Sequence, residues 1–191
     1  MPTEILVKSG TQIRFCVAGS FSPADNGTNW TSGTPTDVAL TLNNVANAAG
    51  RQSAKCDLGA TRAASYALMG CVDFTGETPT VSTRVDYYWA PSTSGTQGDA
   101  NVAGNSGADG AAPDGALGSI TLGEFVSQCI YIGSLFIHDG ASVQCGFVGV
   151  LHPPTRYGQL VVVNNSGDTF EQDDVEAHQV LVPIVDEAAT P

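Results

Sequence analysis

Few residues of this sequence have the types and spacing that catalysis requires. Ser106 stands in the loop GNSGA, which is close to the G-D-S-G-G nucleophile loop of trypsin-like proteases. However, Asn105 replaces the acid of that loop, and the trypsin-like order places the histidine before the serine. Here all three histidines follow the serine, and no G-x-S-x-G elbow is present. The sequence therefore predicts no enzyme. The histidines are His138, His152 and His178.

Metal sites find equally little support in the spacing. The histidines form no H-x-H pair, which a cupin-like site would use. Oxygen ligands for calcium are present in one Gly-rich stretch, but turns prefer the same residues and no EF-hand spacing is formed. An acidic cluster near the C-terminus is interpreted as a solvated turn. We predict neither a cofactor nor a metal. The oxygen-bearing residues are Asp99, Asn101, Asn105, Asp109 and Asp114, and the acidic cluster is Glu171, Asp173, Asp174 and Glu176.

Aromatic residues leave sugar binding open as an alternative. Trp30, Tyr87, Tyr88 and Trp89 have rings that could stack on a glycan. Successive residues of a strand point to opposite faces, so one of Tyr88 and Trp89 must point inward. A carbohydrate-binding module should expose Trp30 or Trp89, which makes their exposure the discriminating observation.

Charge is distributed unevenly along the 191 residues, whose formal net charge is −12. Residues 1–84 hold six cations and six acids, whereas residues 85–191 hold Arg156 against thirteen acids. Such a surface repels phosphate backbones and anionic lipids, so we expect neither nucleic-acid nor membrane binding. The acidic half favours solubility, or a partner with a basic face.

The cysteines and the N-terminus indicate the cell compartment. The five cysteines are odd in number, lie in or beside apolar runs and form no C-x-x-C pair, which predicts buried reduced thiols. No stretch approaches 18 apolar residues, and MPTEILVKSG lacks the pattern of a secretion signal. We therefore expect synthesis in the cytoplasm without a signal peptide.

Short strands separated by turns dominate the pattern. Val38, Leu40 and Leu42 alternate on one face, as do Val81 to Trp89 within VSTRVDYYWA. QCIYIGSLFI–HDGA–SVQCGFVGVL is typical of a hairpin, SITLGEF of a short strand or turn, and Pro183 favours an edge strand or a bulge. About nine or ten strands and no helix predict one all-β domain over 1–191, a β-sandwich of jelly-roll type.

One stretch, about 92–119, is rich in Gly, Ala, Ser and Asp and holds no Lys or Arg. Its composition predicts a long surface loop that adapts its shape to a neighbouring subunit or to the capsid. We take six residues as candidate partner contacts. These are Arg51, Lys55, Arg62, Trp30, Asp99 and Asp109.

Four segments together resemble uncharacterised structural proteins of tailed-bacteriophage virions. They are RQSAKCDLGATRAASY, VDYYWAPS with the loop that follows it, HPPTRYGQLVVVNNSG and HQVLVPIVDE. The resemblance covers about residue 36 to the C-terminus, and its motifs are not catalytic. It implies a capsid decoration (cement) protein on the outside of the shell, or else a tail or head–tail accessory protein. The major capsid protein or other virion subunits would be its partners, and a homo-oligomer, with a trimer as the first guess, is implied as well.

The charge distribution suggests how such a protein would be oriented. The near-neutral first half would face the shell, and the acidic half would face solvent, where like charges discourage clumping. On this hypothesis, Arg51, Lys55 and Arg62 contribute to attachment.

Overall fold

The structure, a computed structural model, describes residues 11–17, 19–23, 29–140, 142–173 and 175–184. The prediction of an all-β fold is confirmed, with eleven strands, one short α-helix and a 3-10 helix at Val102–Gly104 in this part of the chain. The strands are β1 Ile13–Cys16, β2 Thr36–Ala39, β3 Gly50–Gln52, β4 Cys56–Asp57, β5 Ser65–Val72, β6 Arg84–Ser92, β7 Gly110–Ala111, β8 Ile130–Phe136, β9 Gln144–Leu151, β10 Tyr157–Asn165 and β11 His178–Ile184, and the helix is α1 Leu122–Val126.

The strands form one curled, sandwich-like sheet in the order β2-β1-β11-β5-β9-β8-β6-β10-β3-β7, with β4 also paired to β10. Among the strands of the described residues, β1 and β2 are the one parallel pair. The sheet has two halves, one from β2 to β9 and the other from β8 to β7, which meet at the predicted hairpin β8–β9. The two strands of this hairpin share a single register pair, Gly133 with Gly149. A Cβ on Gly133 would lie 2.1 Å from the Val148 carbonyl oxygen, so the backbones approach there only because both residues are glycines.

The main core lies between the two halves. Val85, Tyr87 and Trp89 of β6 point into it, as the alternation predicted, while Val81 lies exposed in the preceding turn. Val38, Leu40 and Leu42 are buried on one side, which confirms that prediction too. Trp89 is fully buried against Gly158, where an added Cβ would lie 2.4 Å from the indole ring.

Two fully buried tyrosines of this core differ in the hydrogen bonding of their hydroxyl groups. Tyr66 Oη accepts the Ala63 backbone N–H at 3.1 Å, whereas Tyr87 Oη has no hydrogen-bond partner among the described residues. We expect Tyr66→Phe to lower the free energy of unfolding by about 1–2 kcal/mol, because it leaves a buried donor unpaired. Tyr87→Phe should be neutral or stabilising by about 1 kcal/mol. Urea denaturation of both variants checks this, and a loss at Tyr87 as large as that at Tyr66 would contradict it.

The stretch 92–119 lies at the surface, as its composition predicted, and residues 93–100 are mostly exposed, but the stretch is also packed onto the sheet. It folds back with α1 across the outer face of β6 and β10 and covers a second core made by Ala90, Phe125, Val161 and Val163. Its strand β7 pairs with β3. Small side chains allow this close packing, because a Cβ on Gly107 would lie 1.9 Å from the Gln97 carbonyl oxygen.

Helix α1 was missed in the sequence, where SITLGEF was interpreted as a strand or turn. A capping box starts the helix, since the Thr121 hydroxyl accepts the Glu124 N–H at 3.2 Å and Glu124 Oε2 accepts the Thr121 N–H at 2.7 Å. The pattern Thr-x-x-Glu before apolar residues is the signal that was available.

Two further predictions were wrong. The structure joins Cys71 and Cys145 in a disulfide, because the β5–β9 register places them opposite each other. The prediction of reduced thiols therefore holds only for other cysteines, such as the buried Cys56.

The prediction of an edge strand at Pro183 was also wrong, because strand β11 lies between β1 and β5. It tolerates Pro183 because pairing with β1 ends at Leu181.

Candidate interaction surface

Three cross-strand pairs on the outer face of β6 and β8 form an exposed platform, here called the β6–β8 platform. The pairs are Arg84 with Phe136, Asp86 with Ser134, and Tyr88 with Tyr131. These side chains stay at the margin of the region that the 92–129 segment covers. The platform therefore alternates ring, polar centre and ring along the strands.

Two large rings of the platform face solvent. Tyr131 is 55% exposed and Phe136 is 63% exposed. Tyr131 also packs against the half-buried Tyr88 ring, with centroids 5.3 Å apart. An exposed pair of large rings on a rigid strand is a surface that binding would stabilise, because burial removes apolar area from water.

A buried carboxylate organises the centre of the platform. Asp86, whose side chain is 5% exposed, accepts hydrogen bonds from Arg84 Nε at 2.9 and 3.1 Å and from Asn165 Nδ2 at 2.8 Å. The Ser134 hydroxyl also donates to Asp86. Tyr131 Oη, 2.6 Å from Ser134 Oγ, is then the donor to that hydroxyl. Hydrogen bonds that lead to the buried Asp86 carboxylate therefore fix the side chains of Arg84, Ser134 and Tyr131.

Arg84 is the accessible charge of the platform. Its side chain is 55% exposed although its Nε is fixed by the buried carboxylate. The hydrogen bond to Asp86 and the charge of that carboxylate raise the pKa of the guanidinium. Arg84 therefore presents a fixed, always charged group beside the Phe136 ring.

An acidic pocket of about 170 Å³ lies at another place, lined by Asp73, Glu171, Asp173 and Glu176. Burial, followed by the hydrogen bond to Asp73 and repulsion from the other carboxylates, raises the pKa of Glu171 to about 7. Asp174, counted with this cluster in the sequence, lies outside the described residues. No group of three or more His, Cys, Asp or Glu side chains in the described residues is arranged to hold a metal ion.

The pocket predicts a pH dependence of stability. Glu171 has a raised native pKa, so between about pH 4.5 and pH 7 the native state binds more protons than the unfolded state, and stability falls as pH rises through this window. Glu171→Gln removes the charge. We expect the variant to melt at a higher temperature than the wild type at about pH 8 and at the same temperature near pH 4. A constant difference across this range would contradict the assignment.

Of the six residues predicted as partner contacts, three have side chains that bond within the chain. Arg51 Nε pairs with Asp109 Oδ1 at 3.1 Å, and Asp109 Oδ2 accepts the Thr41 hydroxyl at 2.6 Å. Lys55 Nζ lies 2.5–3.1 Å from four oxygens of the 92–99 segment. These three side chains therefore hold the covering segment within the chain.

The remaining three stay accessible. Arg62 is partly exposed, the Asp99 side chain is exposed and Trp30 is 37% exposed. None of them lies on the β6–β8 platform. Lys55 nevertheless contacts Asp99 through the backbone carbonyl, at 2.8 Å. Their role as partner contacts stays a prediction.

The residues considered for catalysis are not brought together. Ser106 Oγ donates to Asp114 Oδ2 at 2.5 Å inside the covering segment. His138 and His152 follow β8 and β9, which are antiparallel, so they lie at opposite ends of these strands. His178 is buried, with Nδ1 bonded to the Glu176 carbonyl at 2.7 Å and Nε2 accepting the Trp30 N–H at 3.2 Å.

The calcium candidates are separated in the same way. Asp109 and Asp114 are bonded to different side chains, and the amides of Asn101 and Asn105 bond the local backbone. Their carboxylate and amide oxygens converge on no common point in these contacts.

The platform was not identified from the sequence. QCIYIGSLFI was correctly predicted as a strand, but its alternation does not tell which face another segment will cover. A serine between aromatic residues, two residues before Phe136, was the available hint of an exposed face.

No family model, no curated protein and no solved structure matches this chain. Within the described residues, no helix has the length and apolar character needed to cross a membrane.

Proposed function

We propose that this chain is a non-enzymatic virion structural protein that attaches to other virion subunits through the β6–β8 platform, most simply as a capsid decoration protein on the shell exterior. The resemblance of four sequence segments to tailed-phage virion proteins supports the class of protein. The observation that carries the mode of action is the exposed Arg84 beside the exposed Phe136 ring, fixed by the buried Asp86, with the exposed Tyr131 ring at the other end of the platform.

The composition of the platform is that of a protein-binding surface. Tyr and Arg are the residues in which binding energy is concentrated at protein interfaces. A side chain held in place by a buried partner loses little conformational freedom on binding, which favours affinity. Phe136 supplies apolar area beside the charge, and Arg84 can pair with a carboxylate of the partner.

A tail or head–tail accessory protein would use the same surface, and differs from a decoration protein in copy number. A carbohydrate-binding module is the second candidate function, and the exposed Tyr131 ring with its hydroxyl bonded to Ser134 favours it. Of the residues first considered for stacking, Trp30 is 37% exposed and meets the criterion set from the sequence, whereas Trp89 and Tyr87 are fully buried.

The test is reassembly on particles that lack the chain. Purified wild-type protein and the variants Arg84→Ala and Tyr131→Ala are added to such particles, and the bound fraction is measured after sedimentation. Each variant should weaken attachment at least about tenfold, which corresponds to about 1.4 kcal/mol. Leu117→Ala is the matched control, because Leu117 is exposed in the 92–119 stretch, outside β6 and β8.

Two outcomes would count against the proposal. Attachment that both platform variants leave unchanged would remove the platform as the docking surface. Absence of any attachment, together with binding of neutral polysaccharides that Tyr131→Ala abolishes, would replace the virion role by glycan binding.

A further inference from the structure

A second exposed apolar surface lies on the outer face of β9, β5 and β11. The strand registers place Val150, Ala67 and Val182 side by side, and Phe147, Met69 and Val180 in the next row. We call these the apolar rows. Phe147 is 58% exposed and Val150 is also exposed, whereas Val180 is covered. Phe147 and Val150 therefore form the part of this surface that faces water, with Ala67, Met69 and Val182 partly exposed beside them.

The apolar rows hold no charged side chain, and Arg14, the next residue in register beside Val180, is neutralised by its ion pair with Asp37 at 2.8 Å. The whole chain carries 19 acids against 7 lysines and arginines. Two copies with a net charge of −12 repel each other wherever their acidic surfaces meet. An uncharged surface is where a second copy can approach with the least repulsion and the largest gain from apolar burial. The charge pattern thus favours a second copy over a basic partner at this surface.

The geometry also limits how the second copy can be placed. Among the described residues, Ile184 extends this surface at the end of β11, whereas the other exposed large apolar residues away from the platform, Val81, Leu117 and Trp30, lie in turns and loops and form no second row. A head-to-tail contact needs a different, complementary surface, whereas a two-fold contact needs only the same surface twice. The β6–β8 platform also exposes rings, but it carries the charged Arg84. The uncharged apolar rows therefore fit a two-fold contact with the same rows of a second copy.

We propose that two copies of this chain associate through their apolar rows to form an isologous dimer, with each Phe147 packed against the rows of the other copy. The inference does not depend on the virion role. It also differs from the trimer that the family resemblance implies.

The size of the surface sets the expected strength of the dimer. Three strands about 4.8 Å apart and about eight residues long span roughly 14 Å by 25 Å. This footprint is smaller than the roughly 800 Å² that each partner contributes to a standard interface. We therefore expect reversible association that depends on protein concentration, strengthened by added salt because salt screens the repulsion between acidic copies.

Sedimentation equilibrium over a concentration series tests the proposal on the full chain. The wild type should fit a monomer–dimer equilibrium. Phe147→Asp and Phe147→Lys should both raise the dissociation constant at least about tenfold, since each places a charge in the contact twice. The two variants change the net charge in opposite directions, so an effect that both share reports loss of the contact and not the change in net charge. Val81→Asp is the control and should leave the dimer intact.

Circular dichroism and thermal melting establish that the variants are folded. If a Phe147 variant does not fold, Val150→Lys at the next row replaces it. A wild type that stays monomeric at the highest concentrations overturns the inference, and so does a trimer. The same weakening by Val81→Asp, or by Tyr131→Asp on the platform, would place the contact elsewhere and overturn it as well.

Discussion

Gly133→Ala should cost about 3 kcal/mol or more of the free energy of unfolding, or prevent folding. The added methyl group would lie 2.1 Å from the Val148 carbonyl oxygen and 2.9 Å from its carbon, and these backbone atoms cannot move aside like a side chain. The effect is large because β8 and β9 share only this one register pair, where the two halves of the sheet meet. Chemical denaturation followed by circular dichroism measures it.

Gly140→Ala is the matched control. Gly140 lies in the turn between β8 and β9, and a Cβ there would meet nothing within 4 Å. We expect its stability to stay within about 0.5 kcal/mol of the wild type. Equal stability of the two variants would mean that the halves of the sheet do not close at Gly133.

Lys55→Met should lower the free energy of unfolding by about 2 kcal/mol and loosen the segment that covers β6 and β10. The ammonium group lies 3.1 Å from Ser92 Oγ, and at 3.0, 2.5 and 2.8 Å from the carbonyl oxygens of Ser94, Thr96 and Asp99. Methionine keeps the length of the side chain but offers no donor. Hydrogen exchange of residues 92–99 should accelerate in the variant more than exchange in β5 and β11.

Arg62→Met is the control for the loss of a cation. Arg62 is only partly buried, and none of the ion pairs among the described residues involves it. Its hydrogen exchange and stability should stay close to those of the wild type. If Lys55→Met also left exchange at 92–99 unchanged, the covering segment would be held by its apolar contacts alone.

These contacts change how attachment experiments should be designed. Charge reversal at Arg51 or Lys55 would break the bonds that hold the covering segment, so weaker attachment could not be separated from local unfolding. Arg62→Glu keeps those bonds and is the informative charge reversal. Deletion of 95–115 would likewise uncover Phe125, Val161 and Val163, and would test stability before attachment.

The strands were predictable because each carries a local signal. The alternation of Val85, Tyr87 and Trp89 indicates a strand with one buried face, and the β-branched run of β10 indicates a strand that is buried on both faces. The order of strands in the sheet was not predictable, since it depends on pairs such as β5 with β9 that are far apart in the chain. For the same reason the Cys71–Cys145 disulfide was missed.

The covering segment and the platform show a different limit of sequence reasoning. Gly, Ala and Asp are frequent both in exposed loops and in segments that pack closely on a sheet, so composition alone favoured the loop. Which strand residues stay exposed then depends on where this segment lies. Tyr88 and Tyr131 are cross-strand neighbours, yet the first is half-buried and the second faces solvent.

Quantitative mass spectrometry of gradient-purified virions whose genome encodes this chain tests the central proposal most directly. The quantity to measure is the number of copies of this chain for each copy of the major shell protein. We expect a copy number of the same order as that of the shell protein, reduced when Arg84 and Tyr131 are both replaced by alanine. Absence of the chain from purified virions would contradict it.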